Sequence, residues 1–247
     1  MEGSLLTLAV DTSTERRSVA LVRGGRVLSE SESDLREGGS ANLLADVDRV
    51  LAAAGVRLRE VGLFAAAVGP GSFTGLRSGL ATVKGLALTT ARPAVGVQTL
   101  HAVAYGARPA RRLVALIPAG RGEVFAQLLS VTEGGRVGEL EGPAHMPPAL
   151  LVEKVRGFGG GVKWVGGGAL KYFELIKEGA AAAGLGLARD AAGEDAPEGS
   201  WAVSGGDTAL ARGVAALANE KYAAGGVWGA ESLGAVYVRP SDAELKG

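Results

Sequence analysis

The chain has 247 residues, 26 basic and 26 acidic side chains, a formal net charge of zero and no cysteine. Neutrality excludes the overall basic field that drives non-specific nucleic-acid binding. The lack of cysteine excludes disulfide scaffolds, thiolate zinc sites and cysteine nucleophiles. Glycine is the outlier in the composition, because 40 glycines make up about 16% of the chain where about 7% is ordinary. With aromatic residues at 5%, we expect a core built by close backbone approach.

The amino-terminal region carries no targeting pattern. The apolar run 5–10 follows no cationic segment and stops at Asp11, which argues against a signal peptide. The longest uncharged run, residues 61–76, has 16 residues and is broken by Gly69-Pro70-Gly71, so it is too short to span a bilayer. We expect a cytoplasmic protein that contacts no membrane.

The first part of the chain predicts three strands joined by turns. Apolar runs at 5–11 and 18–22 are typical of buried strands, and Gly24-Gly25 predicts a hairpin into a third strand at 27–35. This third strand alternates only weakly, with acidic side chains on one side.

Two helices and two further strands complete the first half. Apolar residues spaced three and four apart predict the first helix, with Ser40 or Asn42 as its N-cap and Gly55 at its C-terminal stop. The other predicted elements are a strand at 63–68, a helix capped by Ser72 that runs to Thr90, and a strand at 94–97. The order of this half is therefore βββαβαβ.

The second half repeats this order of elements. Its predicted elements are strands at 113–117, 124–131, 137–140 and 162–165, with helices at 147–155 and 169–176. Gly24-Gly25-Arg26-Val27 recurs as Gly134-Gly135-Arg136-Val137, and Val68-Gly69-Pro70-Gly71 corresponds in position to Val165-Gly166-Gly167-Gly168. Chance matches occur in glycine-rich chains, but the agreement in element order favours an internal duplication, with halves at 1–100 and 101–247.

The end of the chain has a weaker pattern. Residues 184–199 predict a loose connection, and a helix capped by Asp207 is predicted at 208–222. The last helix or the tail at 236–245 can pack back on the first half, and the tail can equally be mobile.

Asp11-Thr12-Ser13-Thr14 follows the first predicted strand. A carboxylate at a strand end, with hydroxyl and backbone N–H groups in the following bend, can hold a metal-bound phosphate. The same four residues also satisfy a tight turn through side-chain to backbone hydrogen bonds. On the residues alone we favour the turn.

Gly69-Pro70-Gly71-Ser72-Phe73-Thr74-Gly75-Leu76-Arg77 is the most distinctive stretch of the sequence. Free N–H groups at a helix start attract anions, and Ser72 or Thr74 can cap the helix. The stretch lacks the lysine of a Walker loop and the spacing of a dinucleotide fingerprint. Its glycines equally allow a helix and a strand to approach closely. The candidate phosphate or nucleotide loop, which we interpret as vestigial, consists of Asp11, Thr12, Ser13, Gly71, Ser72 and Thr74.

The residues that usually carry catalysis do not form a recognisable set. His101 and His145 are the two histidines, and their separation matches no metal-ligand spacing. The chain also has no Gly-x-Ser-x-Gly nucleophile elbow. We therefore predict no catalytic residue and no metal site.

Two stretches together resemble a known family. Leu8-Ala9-Val10-Asp11-Thr12-Ser13-Thr14 and the stretch at 69–77, with the following Gly79, are similar to the bacterial TsaB (YeaZ) family. The stretch at 69–77 is close to diagnostic. Gly120-Arg121-Gly122-Glu123-Val124-Phe125 and Val236-Tyr237-Val238-Arg239 agree more loosely.

The resemblance implies a fold and a role. The fold is the actin/Hsp70/sugar-kinase-like (ASKHA) α/β fold, with two related halves that each contain a mixed sheet and helices. The role is that of a non-catalytic subunit that binds and activates the catalytic paralogue TsaD, or pairs with a second copy of itself. Together with the ATPase TsaE, these proteins add threonylcarbamoyl to N6 of adenosine-37 in tRNAs that decode ANN codons. The tRNA contact is mainly through the complex, no cofactor is bound firmly, and ATP or ADP can lie at the interface with the catalytic partner.

This sequence departs from the family pattern at two places. Gly38-Gly39-Ser40-Ala41-Asn42 stands where members often show His-Ser-Glu, and Pro118-Ala119-Gly120 replaces the usual Asp-Ala-Arg. Both changes suit a scaffold better than an enzyme.

The resemblance also implies that the two helices of the first half, here 41–54 and 72–90, form the partner surface. Each helix must also cover its own sheet, and periodicity does not separate the two faces. The partner-facing candidates are Leu43, Leu44, Val47, Val50, Leu51, Leu76, Leu80 and Val83.

Two alternatives stay open at this point. The chain can instead be a stand-alone nucleotide-binding ASKHA enzyme, an ATPase or a sugar-kinase-like protein, with Asp11 and the two glycine turns around the phosphates. Although neutrality argues against a main tRNA platform, Arg108, Arg111 and Arg112 form a candidate local basic patch.

Overall fold

The computed structural model of the chain describes residues 4–34, 43–189, 194–206, 209–225 and 229–238. The chain divides into two units. Unit 1 is Met1–Ala102 with Ala209–Tyr237, and unit 2 is Val103–Thr208 with Val238–Gly247. Each unit contains one β-sheet. No helix among the described residues is long and apolar enough to cross a membrane.

The sheet of unit 1 has five strands. They are β1 (Leu6–Asp11), β2 (Arg16–Arg23), β3 (Arg26–Asp34), β4 (Leu63–Gly69) and β5 (Ala94–Gln98), in the spatial order β3-β2-β1-β4-β5. Strand β1 pairs antiparallel with β2 and parallel with β4. Every residue of β1 and β4 is buried, which explains why these strands are mostly apolar and do not alternate with exposed polar residues.

Helices cover both faces of this sheet. They are α1 (Leu43–Ala53), α2 (Phe73–Thr90) and α7 (Ala211–Ala223), and α3 (Thr99–Tyr105) begins at the end of β5. Leu8 and Val10 of β1 belong to the core cluster under α1 and α2. Thr7 bonds to Asn219 of α7 at 2.6 Å. Because side chains alternate along a strand, α7 lies on the face opposite to α1 and α2.

Unit 2 has a seven-stranded sheet. Its strands are β6 (Ala110–Gly120), β7 (Glu123–Val131), β8 (Val137–Glu139), β9 (Ala144–Met146), β10 (Val162–Val165), β11 (Gly186–Arg189) and β12 (Ser200–Ser204). The spatial order is β11-β12-β10-β6-β7-β8, with β9 paired to β7. Its helices are α4 (Pro148–Arg156), α5 (Gly167–Lys171) and α6 (Phe173–Ala182). The core contains the fully buried Trp164 and Trp201, whose rings lie 5.1 Å apart.

The two sheets have the same pattern of pairing. The pairs β1–β2 and β6–β7 are antiparallel, whereas β1–β4 and β6–β10 are parallel, as are β4–β5 and β10–β12. The two strand-to-helix turns also match, because Gly69 and Gly166 have φ values of 112° and 107°. This agreement confirms the prediction of two related α/β halves.

Several predicted elements are confirmed with small shifts, and others are wrong. The order βββαβαβ, the hairpin at Gly24-Gly25 and the stop at Gly55 are all present. The helix predicted at 169–176 is instead two helices, α5 and α6, which meet at Tyr172. The connection predicted to be loose at 184–199 contains β11. This strand is held by its pairing with β12 and has no strong pattern in the local sequence. Ser40, Asn42, Asp207 and the tail after 238 lie outside the described residues.

The segment after residue 208 is assigned to the first unit. Helix α7 belongs to unit 1, and Ser18 of β2 accepts a hydrogen bond from the backbone N–H of Ala211 at 3.0 Å. Farther along the chain, the Val236 N–H donates to the carbonyl of Val68 at 2.7 Å. Chain segments from both ends of the sequence therefore build this unit.

Candidate functional site

The turn between β1 and β2 is organised by Asp11. Its carboxylate is fully buried, and Oδ1 accepts hydrogen bonds from the Ser13 N–H at 3.0 Å and the Ser13 hydroxyl at 2.5 Å. Such a bond to the N–H two residues on is the geometry of an Asx turn. Asp11 Oδ2 has no hydrogen-bond partner within the described part of the chain.

The amino end of α2 packs directly onto this turn. Ser72 donates its N–H to the Ser13 carbonyl at 2.7 Å, and the Thr12 hydroxyl donates to the Gly75 carbonyl at 2.7 Å. Ser72 also caps α2, because its hydroxyl accepts the Gly75 N–H at 3.2 Å. The stretches at 11–14 and 69–77, both singled out from the sequence, are therefore in contact, and several of their polar groups bond to each other.

Two glycines make this contact sterically feasible. A Cβ atom at Gly71 would lie 2.3 Å from the Ser13 carbonyl oxygen, and one at Gly75 would lie 2.0 Å from that of Thr12. Both distances are far below a normal carbon–oxygen contact of about 3.3 Å. Of the six candidate loop residues, five make these contacts, whereas Thr74 is exposed on the first turn of α2 and makes none of them. The cluster is a clamp between turn and helix, and we refer to residues 11–13 with 71–75 as the turn–helix clamp.

Burial dominates the electrostatics of the clamp. It raises the pKa of Asp11 from 3.8 to about 6, and the hydrogen bonds from Ser13 offset this only in part. Near neutral pH most molecules therefore carry a buried negative charge on Asp11.

We expect the stability of the protein to depend on pH through Asp11. Its pKa is higher in the folded chain than in the unfolded chain, so its contribution is fully present below about pH 4 and is lost as the pH rises through about 6. The loss amounts to about 3 kcal/mol. Asn in place of Asp11 keeps the acceptor for Ser13 without a charge, so Asp11→Asn should remove this dependence. Urea unfolding of both proteins from acid to neutral pH measures it, and parallel profiles would contradict it.

Most of the predicted partner-facing residues lie in the core of unit 1. Leu43, Val47, Val50, Leu51, Leu76, Leu80 and Val83 are buried. Leu44 is the exception, with 56% of its surface exposed. The outward faces of the two helices instead present Leu44, Ala45, Asp48 and Ala52 on α1, and Arg77, Ala81, Gly85 and Leu88 on α2.

A buried ion pair that was not predicted from the sequence holds α1 on the sheet. Arg17 of β2 lies with its Nε 2.6 Å from Asp46 Oδ2, as an ion pair without hydrogen-bond alignment, and both side chains are 3% exposed. Arg49 approaches the other oxygen, with Nη1 2.8 Å from Asp46 Oδ1. Asp46 lies among the apolar residues of α1 in the sequence, and this was an available indication of the ion pair, because a buried acidic side chain needs a partner.

The terminal motif lies against the clamp. The Tyr237 ring is 5.4 Å from that of Phe73, the Arg77 guanidinium lies 3.8 Å over the Phe73 ring, and Arg77 Nε donates to the Tyr237 hydroxyl at 3.4 Å. Two motifs that are 160 residues apart in sequence therefore meet at the start of α2. The available indication in the sequence was that both motifs resemble the same family.

The basic patch considered from the sequence is engaged within unit 2. Arg108 donates to the Tyr105 carbonyl at 2.6 Å, Arg112 donates to the Phe158 carbonyl at 2.7 Å, and Arg111 lies 2.7 Å from Asp195. Elsewhere in unit 2, His145 lies 3.0 Å from Glu123. The residues that the structure describes contain no group of three His, Cys, Asp or Glu side chains arranged to hold a metal ion.

Sequence comparison finds matches to proteins that are named for tRNA modification. A family model described as TsaD, tRNA N6-adenosine threonylcarbamoyltransferase, matches residues 37–222. The tRNA threonylcarbamoyladenosine biosynthesis protein TsaB of Escherichia coli strain K12 is 36% identical over 174 residues, which cover 69% of this chain and 75% of that protein. TsaB of Haemophilus influenzae is 38% identical over 125 residues, covering 49% and 52% of the two chains.

Structural comparison gives the same result. YeaZ from Pseudomonas aeruginosa is 28% identical with a TM-score of 0.71, covering 94% of this chain and 99% of that one. A ROK hexokinase from Thermus thermophilus is 17% identical with a TM-score of 0.52 over 90% and 100% of the two chains, a likeness of fold alone that agrees with the expected sugar-kinase-like architecture. The predicted fold and the family resemblance are both confirmed, and the chain belongs to the TsaB (YeaZ) family.

Proposed function

We propose that this chain is a non-catalytic subunit that binds and activates a TsaD-like catalytic paralogue, with a TsaE-like ATPase as the third component. The complex adds threonylcarbamoyl to N6 of adenosine-37 in tRNAs that decode ANN codons. The observation that carries this proposal is the turn–helix clamp in a chain of the TsaB family. The turn that would cradle a phosphate in an ASKHA enzyme is instead bonded to α2.

The bonds of the clamp support a scaffold role over a stand-alone nucleotide enzyme. The Ser72 N–H is used by the Ser13 carbonyl, and the Gly75 N–H is used by the Ser72 hydroxyl. These are N–H groups that a helix start would otherwise offer to an anion. We therefore propose that the isolated chain holds no nucleotide firmly and that any ATP or ADP lies at the interface with the catalytic partner. Tight ATP binding by the isolated chain, with hydrolysis lost in Asp11→Ala, would contradict this.

The outward faces of α1 and α2 form the proposed partner surface. Both faces carry small residues, Ala45 and Ala52 on α1 and Ala81 and Gly85 on α2, around the exposed Leu44 and Leu88. Space is open beside Gly85, because a Cβ there would meet no atom within 4 Å. Small residues flanked by exposed leucines allow partner helices to pack closely. The same surface serves a second copy of the chain when the paralogue is absent.

We expect Leu44→Glu to abolish copurification with the TsaD-like paralogue while the chain stays folded. Leu44 is exposed, so glutamate costs the free chain little, whereas at a packed interface it buries a charge. Leu150→Glu on α4 is the matched control, because Leu150 is 62% exposed but lies in unit 2. Leu80→Glu is not a suitable variant, since Leu80 is buried in the core of unit 1.

The same variants test the function in cells. Depleting the chain should lower threonylcarbamoyladenosine in bulk tRNA. Wild type and Leu150→Glu should restore the modification, and Leu44→Glu should not. Unchanged modification after depletion would refute the proposed function, and full rescue by Leu44→Glu would refute the partner surface.

A further inference from the structure

One end of the unit 1 sheet carries a row of arginines. Arg23 ends β2 and Arg26 begins β3, Arg57 and Arg59 lie before β4, and Arg92 lies before β5. All five side chains belong to exposed residues. We call these five residues the arginine edge.

The strand register places three of these five residues, Arg23, Arg26 and Arg92, in one row across the sheet. Arg26 pairs with Arg23, and Arg23 pairs with Leu6. Gly62 donates its N–H to the Leu6 carbonyl at 2.9 Å. The β4–β5 register then places Arg92 level with Gly62. Four inter-strand spacings of about 4.8 Å give this row a length of about 19 Å.

Among the described residues, ion pairs neutralise only part of the charge of the arginine edge. In the parts of the chain that the structure describes, the guanidinium groups of Arg23, Arg26 and Arg92 take part in no hydrogen bond or ion pair. Glu60 is the carboxylate among the residues of these turns, and it pairs with Arg57 at 3.0 Å. Arg23 and Arg26 are also direct cross-strand partners, a placement in which like charges destabilise a sheet. An external anion relieves that repulsion.

We propose that the arginine edge contacts the phosphodiester backbone of RNA, which under the proposed function is the tRNA substrate held by the complex. Guanidinium groups bind phosphate oxygens through paired hydrogen bonds and lose hydration more readily than ammonium groups. Three arginines spread over about 19 Å suit several backbone phosphates rather than a single small anion.

An acidic protein fits the arginine edge less well than RNA does. The residues between the arginines are glycine, alanine, proline and the half-buried Leu58. Protein interfaces depend on buried apolar or aromatic anchors at their centre, and these turns supply none. A local row of this kind is also compatible with a net charge of zero, because it adds a contact to a complex without attracting RNA over the whole surface.

The test compares two triple variants in the reconstituted complex with the TsaD-like paralogue. Arg23→Gln, Arg26→Gln and Arg92→Gln together remove the three arginines that the strand register places in one row. Arg121→Gln, Arg136→Gln and Arg156→Gln make the same change in net charge on side chains that have internal partners. Binding of an unmodified ANN-decoding tRNA transcript is then measured over a range of salt concentrations.

The edge variant should bind about a hundredfold more weakly near 0.1 M salt, and the slope of log affinity against log salt should fall by about 2 to 3. The control should keep the wild-type slope. An unchanged slope in the edge variant would overturn the proposal. So would loss of the paralogue from the purified complex with tRNA affinity unchanged, because the edge would then be a protein contact. Failure of the proposed function is seen separately, as unchanged tRNA modification after depletion of the chain.

Discussion

Gly75→Ala should lower the free energy of unfolding of unit 1 by about 3 kcal/mol, at the upper end of the usual cost of overpacking. The added methyl would lie 2.0 Å from the Thr12 carbonyl oxygen. That oxygen belongs to the backbone of a buried turn, so it does not rotate away as a flexible side chain does. Either α2 moves away from the turn, or the turn gives up its bonds to α2.

Gly85→Ala is the control for this prediction, because it lies on the same helix with open space around it. At Gly85 the substitution brings only the gain in helix propensity, about 1 kcal/mol. The free energy of unfolding should therefore fall in Gly75→Ala and rise in Gly85→Ala. Hydrogen exchange of the β1 amides reports on unit 1, whereas hydrogen exchange of the β6 amides reports on unit 2. Similar stabilities for the two variants would mean that the clamp is looser than its contacts indicate.

The clamp also shows what the sequence predicts well. The glycine surplus and the stretch at 69–77 predicted a close approach of helix and strand, and Ser72 was correctly predicted as an N-cap. These predictions succeed because caps and tight turns depend on residues that are near in sequence. The anion-binding interpretation of the same stretch depended on which groups its N–H donors would meet, and those include Ser13, far away in the chain.

Features that depend on distant pairing were not predicted. The spacing of apolar residues predicted apolar stripes on α1 and α2. It did not show that seven of the eight partner-facing candidates are buried in unit 1. Strand β11 has four residues and is defined by its pairing with β12. The arginine edge likewise joins three separate turns, and only the strand register places Arg23, Arg26 and Arg92 in one row.

Asp46→Ala should have an effect as large as that of Gly75→Ala, about 3 to 5 kcal/mol, because it removes one member of a buried ion pair. The guanidinium of Arg17 is 3% exposed and loses the carboxylate oxygen 2.6 Å away. The Ser33 hydroxyl donates to the same oxygen, Asp46 Oδ2, at 3.3 Å and loses its acceptor as well. Asp48→Ala, on the exposed side of the same helix, should change the stability by less than about 0.5 kcal/mol.

A double variant separates the role of the charge from that of the packing. Arg17→Met with Asp46→Leu replaces the pair by apolar side chains of similar length, and such replacements are often neutral or stabilising. We therefore expect the double variant to regain most of the stability that Asp46→Ala loses in urea unfolding. Asp46 lies on the buried face of α1 and holds that helix on the sheet through Arg17. The single variant should therefore also displace Leu44 and weaken paralogue binding, and the double variant should restore that binding. Restored stability without restored binding would mean that the ion pair itself, rather than the seating of α1, shapes the partner surface.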